Sequence, residues 1–326
     1  MAQARLSRGK VRAARAARCR SAAVFAPFAG RMRGRRGVLF IAAIAAAVSF
    51  IASFPAQAQR AAKKAVAVLP CGGEEIARGN VSRIIDGRTF VLGDGREVRL
   101  AGIETASLST HASDGPGDDT AARDALAKLI FDAQVVLRGA EFASDRYGRM
   151  LAYVEVAQPN PRRSVQAELL ASGFARVGDL VGERACAAEM LRLETAARSG
   201  KLGLWADPYY DPLRADKPAE ILARRGRFAL VEGEVVSVHP SGATLYVNFG
   251  RRWSEDFAVT VRKRNERKFA TAGVDLHGLS GRRVRVRGWV EARGGIGGSP
   301  WRAPWIEAAR PEQIETVDRN DAQVAR

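Results

Sequence analysis

The sequence predicts a mainly β protein with helices, of the α+β class. Residues 81–107 have the pattern of two strands joined by a Gly93-Asp94-Gly95 turn, and the return strand at 97–103 alternates polar and apolar side chains. Apolar stripes at helical spacing follow this hairpin, and five short strand-like segments fill the second half of the chain. A length of 326 residues and a hydrophobic content of 47% leave room for about two domains with cores.

The first 58 residues predict a basic arm and a signal peptide. They hold 11 Lys/Arg and no Asp/Glu, and an apolar run at residues 38–54 precedes the small-residue site Ala56-Gln57-Ala58. Cleavage near Ala58 would export the protein, to the periplasm or out of the cell. If the segment is not cleaved, it would instead anchor the protein in the inner membrane and be its contact with the bilayer. Met32 is an alternative start to Met1, because it would give a signal of ordinary length.

The charge of the chain is concentrated in this arm. The formal net charge is +17, and removing the 11 basic residues of the arm leaves +6 for the rest. A mildly basic protein is compatible with a nucleic-acid partner, but a charge of this size does not require one.

The cysteines predict one disulfide. Cys19 lies in the arm, so Cys71 and Cys186 are the pair that remains behind the predicted signal. An oxidising destination favours a bond between them, and the alternative is two separate buried thiols.

Composition divides the rest of the chain into a first domain, a second domain and their connections. Segment by segment, we predict a linker at 59–75, a domain at 76–210, a linker at 211–225, a second domain at 226–317 and a disordered tail at 318–326.

The elements of the first domain follow the hairpin in order. After a polar, Gly-rich loop, acidic residues at 118–119 introduce a helix that begins near Thr120. Residues 134–138 and 150–156 read as strands. Ser164 caps a second helix, and residues 183–199 form a third that Gly200 ends.

The sequence pattern of the second domain predicts an OB-like β-barrel. Its strand-like segments are residues 228–238, 244–249, 256–262, 282–293 and 305–309, with a helical piece at 266–272. Five short strands with a helix between the third and the fourth fit that architecture.

Two stretches carry a family resemblance. Residues 81–107, together with Asp145-Arg146-Tyr147-Gly148-Arg149, resemble the thermonuclease (staphylococcal-nuclease-like) family, and the likeness covers roughly residues 80–207. It implies an OB-fold barrel of five strands with three helices. It also implies calcium-dependent cleavage of nucleic-acid phosphodiesters, with DNA or RNA as the partner.

The resemblance assigns the cations of such a site. It implies that Arg99 and Arg149 are catalytic, since a planar guanidinium binds phosphate oxygens in a two-pronged manner. It also places Arg146 and Tyr147 against a terminal phosphate or a base face. From the residues alone, Arg99 is equally a strand residue paired with a carboxylate, and Arg149 a turn cation.

The metal and the base depart from the family pattern. Asp86, Glu104 and the Thr105 carbonyl remain as ligands for Ca²⁺, but Arg88 stands where the family has a second carboxylate. Ser107 stands where the family has its general-base glutamate, and a lone hydroxyl does not accept a proton near neutral pH. A guanidinium close to a calcium position is repulsive.

A loop after the hairpin offers a substitute for the missing acids. Its aspartates at 114, 118 and 119 could bring a carboxylate into the site, and His111 could act as a base. A mobile surface loop is the simpler interpretation of the same composition.

The second domain has its own nucleic-acid candidates. We predict Arg252, Trp253, Arg285 and Arg287, because barrels that bind single strands combine cations with aromatic stacking platforms. The alternative is that the aromatics are core and that the arginines form one solvated strand face.

Three functions therefore stay open. The first is an exported, metal-dependent nucleic-acid phosphodiesterase with weakened metal and base positions. The second is a nucleic-acid or phosphate-binding module with little or no catalysis, and the third is an interaction scaffold of the cell envelope. Arg88 discriminates between the first two. Pairing of Arg88 with Glu104 would put a guanidinium in the metal's place, whereas an Arg88 turned away would leave the metal site open.

Overall fold

The computed structural model describes residues 69–106, 120–158, 163–179, 181–293 and 302–317, all of which belong to one compact unit. The predicted signal peptide, the loop with Ser107 and His111, and the tail lie outside the described residues. Within the described ranges, the structure contains no helix whose length and apolar character would let it cross a membrane.

Seventeen strands and five α-helices make up these ranges. The strands are β1 (Glu75–Asp86), β2 (Thr89–Leu92), β3 (Glu97–Leu100), β4 (Ile103–Glu104), β5 (Gln134–Ser144), β6 (Met150–Val156), β7 (Arg163–Ser164), β8 (Arg176–Val177), β9 (Leu213–Arg214), β10 (Phe228–Glu234), β11 (Ser237–Ser241), β12 (Thr244–Asn248), β13 (Ala258–Arg262), β14 (Arg283–Trp289), β15 (Glu291–Ala292), β16 (Pro304–Glu307) and β17 (Ile314–Thr316). The α-helices are α1 (Thr120–Ile130), α2 (Val165–Ala171), α3 (Arg184–Ser199), α4 (Pro218–Leu222) and α5 (Lys263–Thr271).

The first half folds as a closed barrel, which confirms the predicted α+β fold class. The strands run in the order β3-β2-β1-β5-β6, and a parallel pairing of β3 with β6 closes the circle. Phe90, Val98 and Leu137 are completely buried inside it, and β3, which holds Val98, shows the predicted period-2 alternation. Closure removes the sheet edges, so the hydrogen bonds of these short strands are satisfied within the barrel.

Three helices cover this barrel, as predicted. The side chain of Ser164 accepts a hydrogen bond of 3.3 Å from the Ala167 amide and caps α2. The buried Gln166 then joins helix to barrel. Its Oε1 accepts from the Val154 amide at 3.1 Å, and its Nε2 donates to the Ala152 carbonyl at 3.0 Å.

A disulfide links the start of the barrel to its last helix. Cys71, just before β1, is bonded to Cys186 in the first turn of α3, at a sequence separation of 115. This is the pair that the sequence predicts. Closing so long a loop restricts the unfolded chain and stabilises by roughly 4–5 kcal/mol in the chain-entropy model.

The second half consists of two sheets over one core. One sheet has the order β17-β14-β10-β9 and the other the order β11-β12-β13-β16-β15. Val231, Val259 and Phe269 are completely buried in the core that the sheets share. A second closed OB-like barrel is not confirmed, because the described strands fall into two separately hydrogen-bonded sheets.

Two predicted segments look different in the structure. The segment at 228–238 is divided into β10 and β11, because the chain changes sheets there. The Val235 amide donates to the carbonyl of Arg282, just before β14 of the first sheet, and the Val236 amide donates to the carbonyl of Asn248 in β12 of the second. The segment at 211–225, predicted as a linker, contains β9 and α4, and its Ile221 is completely buried. The boundaries of the two predicted domains stay predictions.

A buried ion cluster joins the first barrel to the second half. Arg287 on β14 donates to both carboxylate oxygens of Glu194 on α3, at 2.9 and 3.1 Å, and also contacts Glu315. The Val177 amide donates to Glu194 at 2.6 Å. Burial alone would raise the pKa of Glu194, but the charge and hydrogen bonds of Arg287, with help from Val177 and Arg198, hold the net pKa below its ordinary range.

We predict that Glu194→Gln destabilises the protein by about 3–5 kcal/mol at pH 7, the usual range when one partner of a buried ion pair is removed. A carboxyl whose pKa is lowered by folding stabilises above its unfolded pKa of about 4.3 and loses that contribution as the pH falls through the folded value. The gap between variant and wild type in urea denaturation should therefore be full at pH 7 and shrink below about pH 4.

Glu189→Gln is the matched control, because Glu189 lies on the same helix in an exposed pair with Arg192. It should leave stability nearly unchanged. Equal stability of Glu194→Gln and wild type at pH 7, or a gap that does not change with pH, would contradict this interpretation of the cluster.

Candidate functional site

The turn after β3 sets the position of the Glu104 carboxylate. Gly102 adopts a φ of +72°, which favours glycine, and a Cβ there would lie a tight 3.1 Å from the Tyr153 hydroxyl. The Gly178 amide donates to the Gly102 carbonyl at 2.8 Å, and β4 pairs with β8 directly after it. Glu104 is thereby held on a short strand and is 7% exposed.

Arg88 lies at the tight turn between β1 and β2. Its amide donates to the Asp86 carboxylate at 2.8 Å, and its carbonyl accepts from the Leu100 amide at 2.8 Å. With its backbone held at both ends, its guanidinium reaches across to Glu104 Oε2 and lies 3.5 Å from the Ile103 carbonyl. Of the two arrangements considered for Arg88, the structure has the pairing with Glu104.

Arg99 engages the other oxygen of the same carboxylate. It stands on β3 opposite Thr89 of β2, and its Nη2 donates to Glu104 Oε1 at 3.3 Å. Glu104 is therefore bracketed by two largely buried guanidiniums, one on each oxygen. The charge of Glu104 is thereby shared between two cations of the chain.

Arg149 reaches the same region from the hairpin between β5 and β6. Asp145 organises this hairpin: one carboxylate oxygen accepts from the Tyr147 and Arg149 amides at 2.9 and 3.1 Å. The other oxygen accepts from Arg149 Nε at 2.7 Å and faces its Nη2 at 2.6 Å. Gly148 completes the turn with a φ of +78°. The guanidinium of Arg149 is thus fixed to its own loop.

Barrel closure brings Arg99 and Arg149 together. The parallel β3–β6 pairing sets Arg99 opposite Leu151, two residues after Arg149. Burial lowers the pKa of Arg99, and repulsion from the Arg149 charge lowers it further, so the two guanidiniums act on each other electrostatically. Two cations from separate hairpins therefore meet on one side of the barrel. Their catalytic role stays a prediction.

Tyr147 and Arg146 form the outer part of this region. The Tyr147 ring is 70% exposed, and the guanidinium carbons of Arg146 and Arg149 both lie 5.2 Å from its centroid. An exposed ring flanked by two cations is suited to contact a base face and a phosphate together. The assignment of these residues to substrate stays a prediction.

The described residues do not fit the calcium ion that the resemblance implies. Both oxygens of Glu104 are engaged by guanidiniums, and Asp86 accepts from the Arg88 amide. Thr105 is buried next to Glu104, and its carbonyl adds one neutral ligand at most. Calcium takes six to eight oxygen ligands, whereas the part of the chain described here contains no group of three His, Cys, Asp or Glu residues that could hold a metal.

Asp179 is a site residue that sequence reasoning missed. It lies two residues after β8, and the antiparallel pairing of β8 with β4, continued by the Gly178–Gly102 hydrogen bond, places it beside the turn after β3. Burial raises the pKa of Asp179, while the charges of Arg88 and Arg99 oppose that rise. No motif surrounds this residue in the sequence, so only the strand pairing reveals it.

The candidates of the second half are distributed differently. Trp253 is 57% exposed, and Arg252 beside it pairs with Glu255 at 2.7 Å. Arg285 is bound to Glu232 at 2.5 Å, and Arg287 is buried in the Glu194 cluster. All three guanidiniums are therefore engaged by carboxylates of the protein itself. Nucleic-acid binding by these four residues stays a prediction.

Comparison with known proteins places this geometry in a family. The model of the family described as staphylococcal nuclease homologue matches residues 97–207. The chain is 37% identical over 160 residues to Protein ParB of Escherichia coli, covering 47% of this chain and 86% of that protein. It is 33% identical over 174 residues to Micrococcal nuclease of Shigella flexneri, covering 51% and 85%. The chain belongs to the staphylococcal nuclease homologue family. Its barrel is thus the nuclease domain of that family, which supports a nuclease-like function and a nucleic-acid partner.

We predict that Glu104→Gln destabilises this nuclease domain more than Arg88→Met does. Loss of Arg88 leaves Glu104 its pairing with Arg99, whereas loss of the carboxylate leaves two largely buried guanidiniums facing each other. Removing the shared partner of a buried pair costs about 3–5 kcal/mol. Urea denaturation at pH 7 measures both changes.

Arg96→Met serves as the control on the same hairpin, since Arg96 pairs with Asp94 in solvent. It should change stability little. A larger loss for Arg88→Met than for Glu104→Gln would show that Glu104 is not the shared partner.

Proposed function

We propose that this member of the nuclease family binds a nucleic-acid strand by its backbone phosphate and does so without calcium. The observation that carries the proposal is the bracketing of Glu104 by Arg88 and Arg99. In this arrangement a guanidinium of the chain neutralises the carboxylate that a divalent ion would otherwise need. The cation that balances Glu104 is then part of the protein.

Arg99 and Arg149 are the residues that would hold the phosphate. Their mutual repulsion, reflected in the lowered pKa of Arg99, is relieved when a phosphodiester anion lies between them. Guanidinium–phosphate hydrogen bonds are charge-assisted and often double, so they are among the stronger polar contacts. The exposed ring of Tyr147 would stack on a neighbouring base.

Efficient hydrolysis would require groups that the described residues use otherwise. Cleavage of a phosphodiester needs a cation on the developing charge and a base to activate water. The two arginines can supply the first. However, both oxygens of Glu104 and both of Asp145 accept hydrogen bonds from arginines or from the backbone, so neither carboxylate is free to take a proton.

Phosphodiester hydrolysis is the second candidate function, and Asp179 favours it. A carboxyl whose pKa is raised by burial accepts a proton more readily than an ordinary aspartate, which is the property a general base needs. One matched relative also carries the name micrococcal nuclease. In this second candidate, Asp179 would accept the proton of the attacking water while Arg99 and Arg149 hold the phosphate.

We also propose that the protein is exported. The basic arm, the apolar run and the Ala56-Gln57-Ala58 site support a signal peptide. The bond between Cys71 and Cys186 is compatible with an oxidising destination such as the periplasm. Retention in the inner membrane by an uncleaved segment is the alternative.

We predict that the purified protein binds fluorescent single-stranded DNA and RNA equally well in Ca²⁺ and in chelator, and leaves the strands intact. Arg99→Met and Arg149→Met should each weaken binding by about tenfold or more, the equivalent of one charge-assisted phosphate contact. Fluorescence anisotropy measures the affinity, and a denaturing gel of the same samples shows whether strands are cut.

Arg96→Met is the control, because it removes an exposed cation from the same hairpin. It should change affinity by less than about twofold. Cleavage that needs Ca²⁺ would overturn the proposal, whereas cleavage in chelator that Asp179→Asn abolishes would establish the second candidate. If the protein neither binds nor cleaves the strands, the remaining hypothesis is the interaction scaffold of the cell envelope.

A further inference from the structure

A groove separates helices α3 and α5, away from the Glu104 site. Its volume is about 670 Å³. One wall is the stripe Arg184, Ala187, Ala188 and Leu191 of α3, and the other is the stripe Arg264, Arg267, Lys268 and Thr271 of α5. Each stripe follows the i, i+3, i+4, i+7 spacing of one helix face, so each wall is about 10 Å long.

The basic residues of this groove outnumber its acidic ones. Among the described residues, no carboxylate forms an ion pair with Arg184, Arg264, Arg267 or Lys268. The two acids of the lining are already engaged elsewhere. Glu312 accepts from the Val181 and Gly182 amides at 3.1 and 3.4 Å, and Glu315 is bound by Arg285 and Arg287.

The floor between the walls is apolar. It is lined by Leu191, Val274 and Ile314, by alanines of α3 and by an alanine at the end of α5. No aromatic ring is among the described residues that line it. A groove with several cations on one wall and hydrocarbon below them suits a ligand that has both characters. The missing aromatic rings argue against a nucleobase, which would need a face to stack on.

We propose that this groove binds a single-chain anionic amphiphile. The oxyanion head, a phosphate or a carboxylate, lies against Arg264, Arg267 and Lys268, with Arg184 closing from the opposite wall. The hydrocarbon chain lies along Leu191 and Ile314. The volume falls in the range of small-molecule sites, about 300–1,000 Å³. A wall of about two helical turns is too short for a stable protein interface, which buries about 800 Å² on each partner.

This site is independent of the proposed nucleic-acid function. None of Arg99, Arg149 and Glu104 lines the groove. Failure of either proposal therefore leaves the other standing, and each has its own variants.

Isothermal titration of the purified full chain with dodecyl phosphate, kept below its micelle concentration, tests the proposal. We expect one saturable site in the wild type. Arg264→Glu combined with Arg267→Glu should weaken it by at least about tenfold, since two charge-assisted contacts are lost and two repulsions are gained. Ala188→Trp, which fills the floor and leaves every cation in place, should also weaken it about tenfold.

Two controls match these variants. Lys263→Glu reverses a charge on α5 outside the groove, and Ala196→Trp places an indole on the exposed face of α3. Both should bind dodecyl phosphate within about twofold of the wild type. Near-ultraviolet circular dichroism establishes that each variant is folded. If the charge-reversed variant does not fold, the affinity of Ala188→Trp for dodecyl phosphate tests the proposal by itself.

Titrations with three other ligands distinguish other occupants of the groove. Equal affinity for dodecyltrimethylammonium would show a purely hydrophobic site, and equal affinity for inorganic phosphate would show a site for the head alone. Binding to phosphatidylglycerol vesicles without binding of the monomer would show a membrane-facing surface. Each of these results, or the absence of a saturable site, would overturn the proposal.

Discussion

The Glu104 carboxylate, held between Arg88 and Arg99, is the interaction on which the candidate site depends. A largely buried carboxylate must be neutralised, by a metal ion or by a cation of the chain. Here Arg88 supplies that cation from the turn between β1 and β2, directly after Asp86. Because the neutralising charge is part of the protein, Glu104 needs no bound ion to balance it. The Arg99 guanidinium donates to Glu104, and its charge is also repelled by that of Arg149.

The barrel positions these groups through backbone geometry. The parallel pairing of β3 with β6 brings two hairpins that are distant in sequence to one side of the barrel. Gly102 permits the turn that places Glu104, and Asp145 fixes the loop that carries Arg149. The second half is bound to this framework by the buried cluster of Glu194 and Arg287. Charged contacts therefore join the two halves in addition to their apolar cores, since Arg310 of the second half also pairs with Glu141 of β5.

Local features of this structure could be read from the sequence, and long-range ones could not. The hairpin, the Ser164 cap and the pairing of Cys71 with Cys186 follow from alternation, capping chemistry and elimination among three cysteines. The conflict at position 88 was also visible, because a cation stands in an acidic pattern. Which way Arg88 turns was not, since that depends on where β4 brings Glu104.

The misplaced expectations share one cause, which is that sheet membership is a tertiary property. The segment at 228–238 has the alternation of one strand, but its chain changes sheets at Val235 and Val236. Arg287 alternates with valines like a solvent-facing residue, yet its partner Glu194 lies 93 residues earlier and buries it. Asp179 enters the site only because β8 pairs with β4. None of these neighbours is encoded within a few residues of the position concerned.

The most direct measurement is isothermal titration of Ca²⁺ into the wild type, Arg88→Asp and Glu104→Gln. If the Arg88 guanidinium takes the place of a divalent ion, the wild type will show no saturable Ca²⁺ binding that depends on Glu104. Arg88→Asp will gain such a site, because it exchanges the guanidinium for a carboxylate beside Asp86 and Glu104. Saturable Ca²⁺ binding by the wild type that Glu104→Gln abolishes would contradict the central claim.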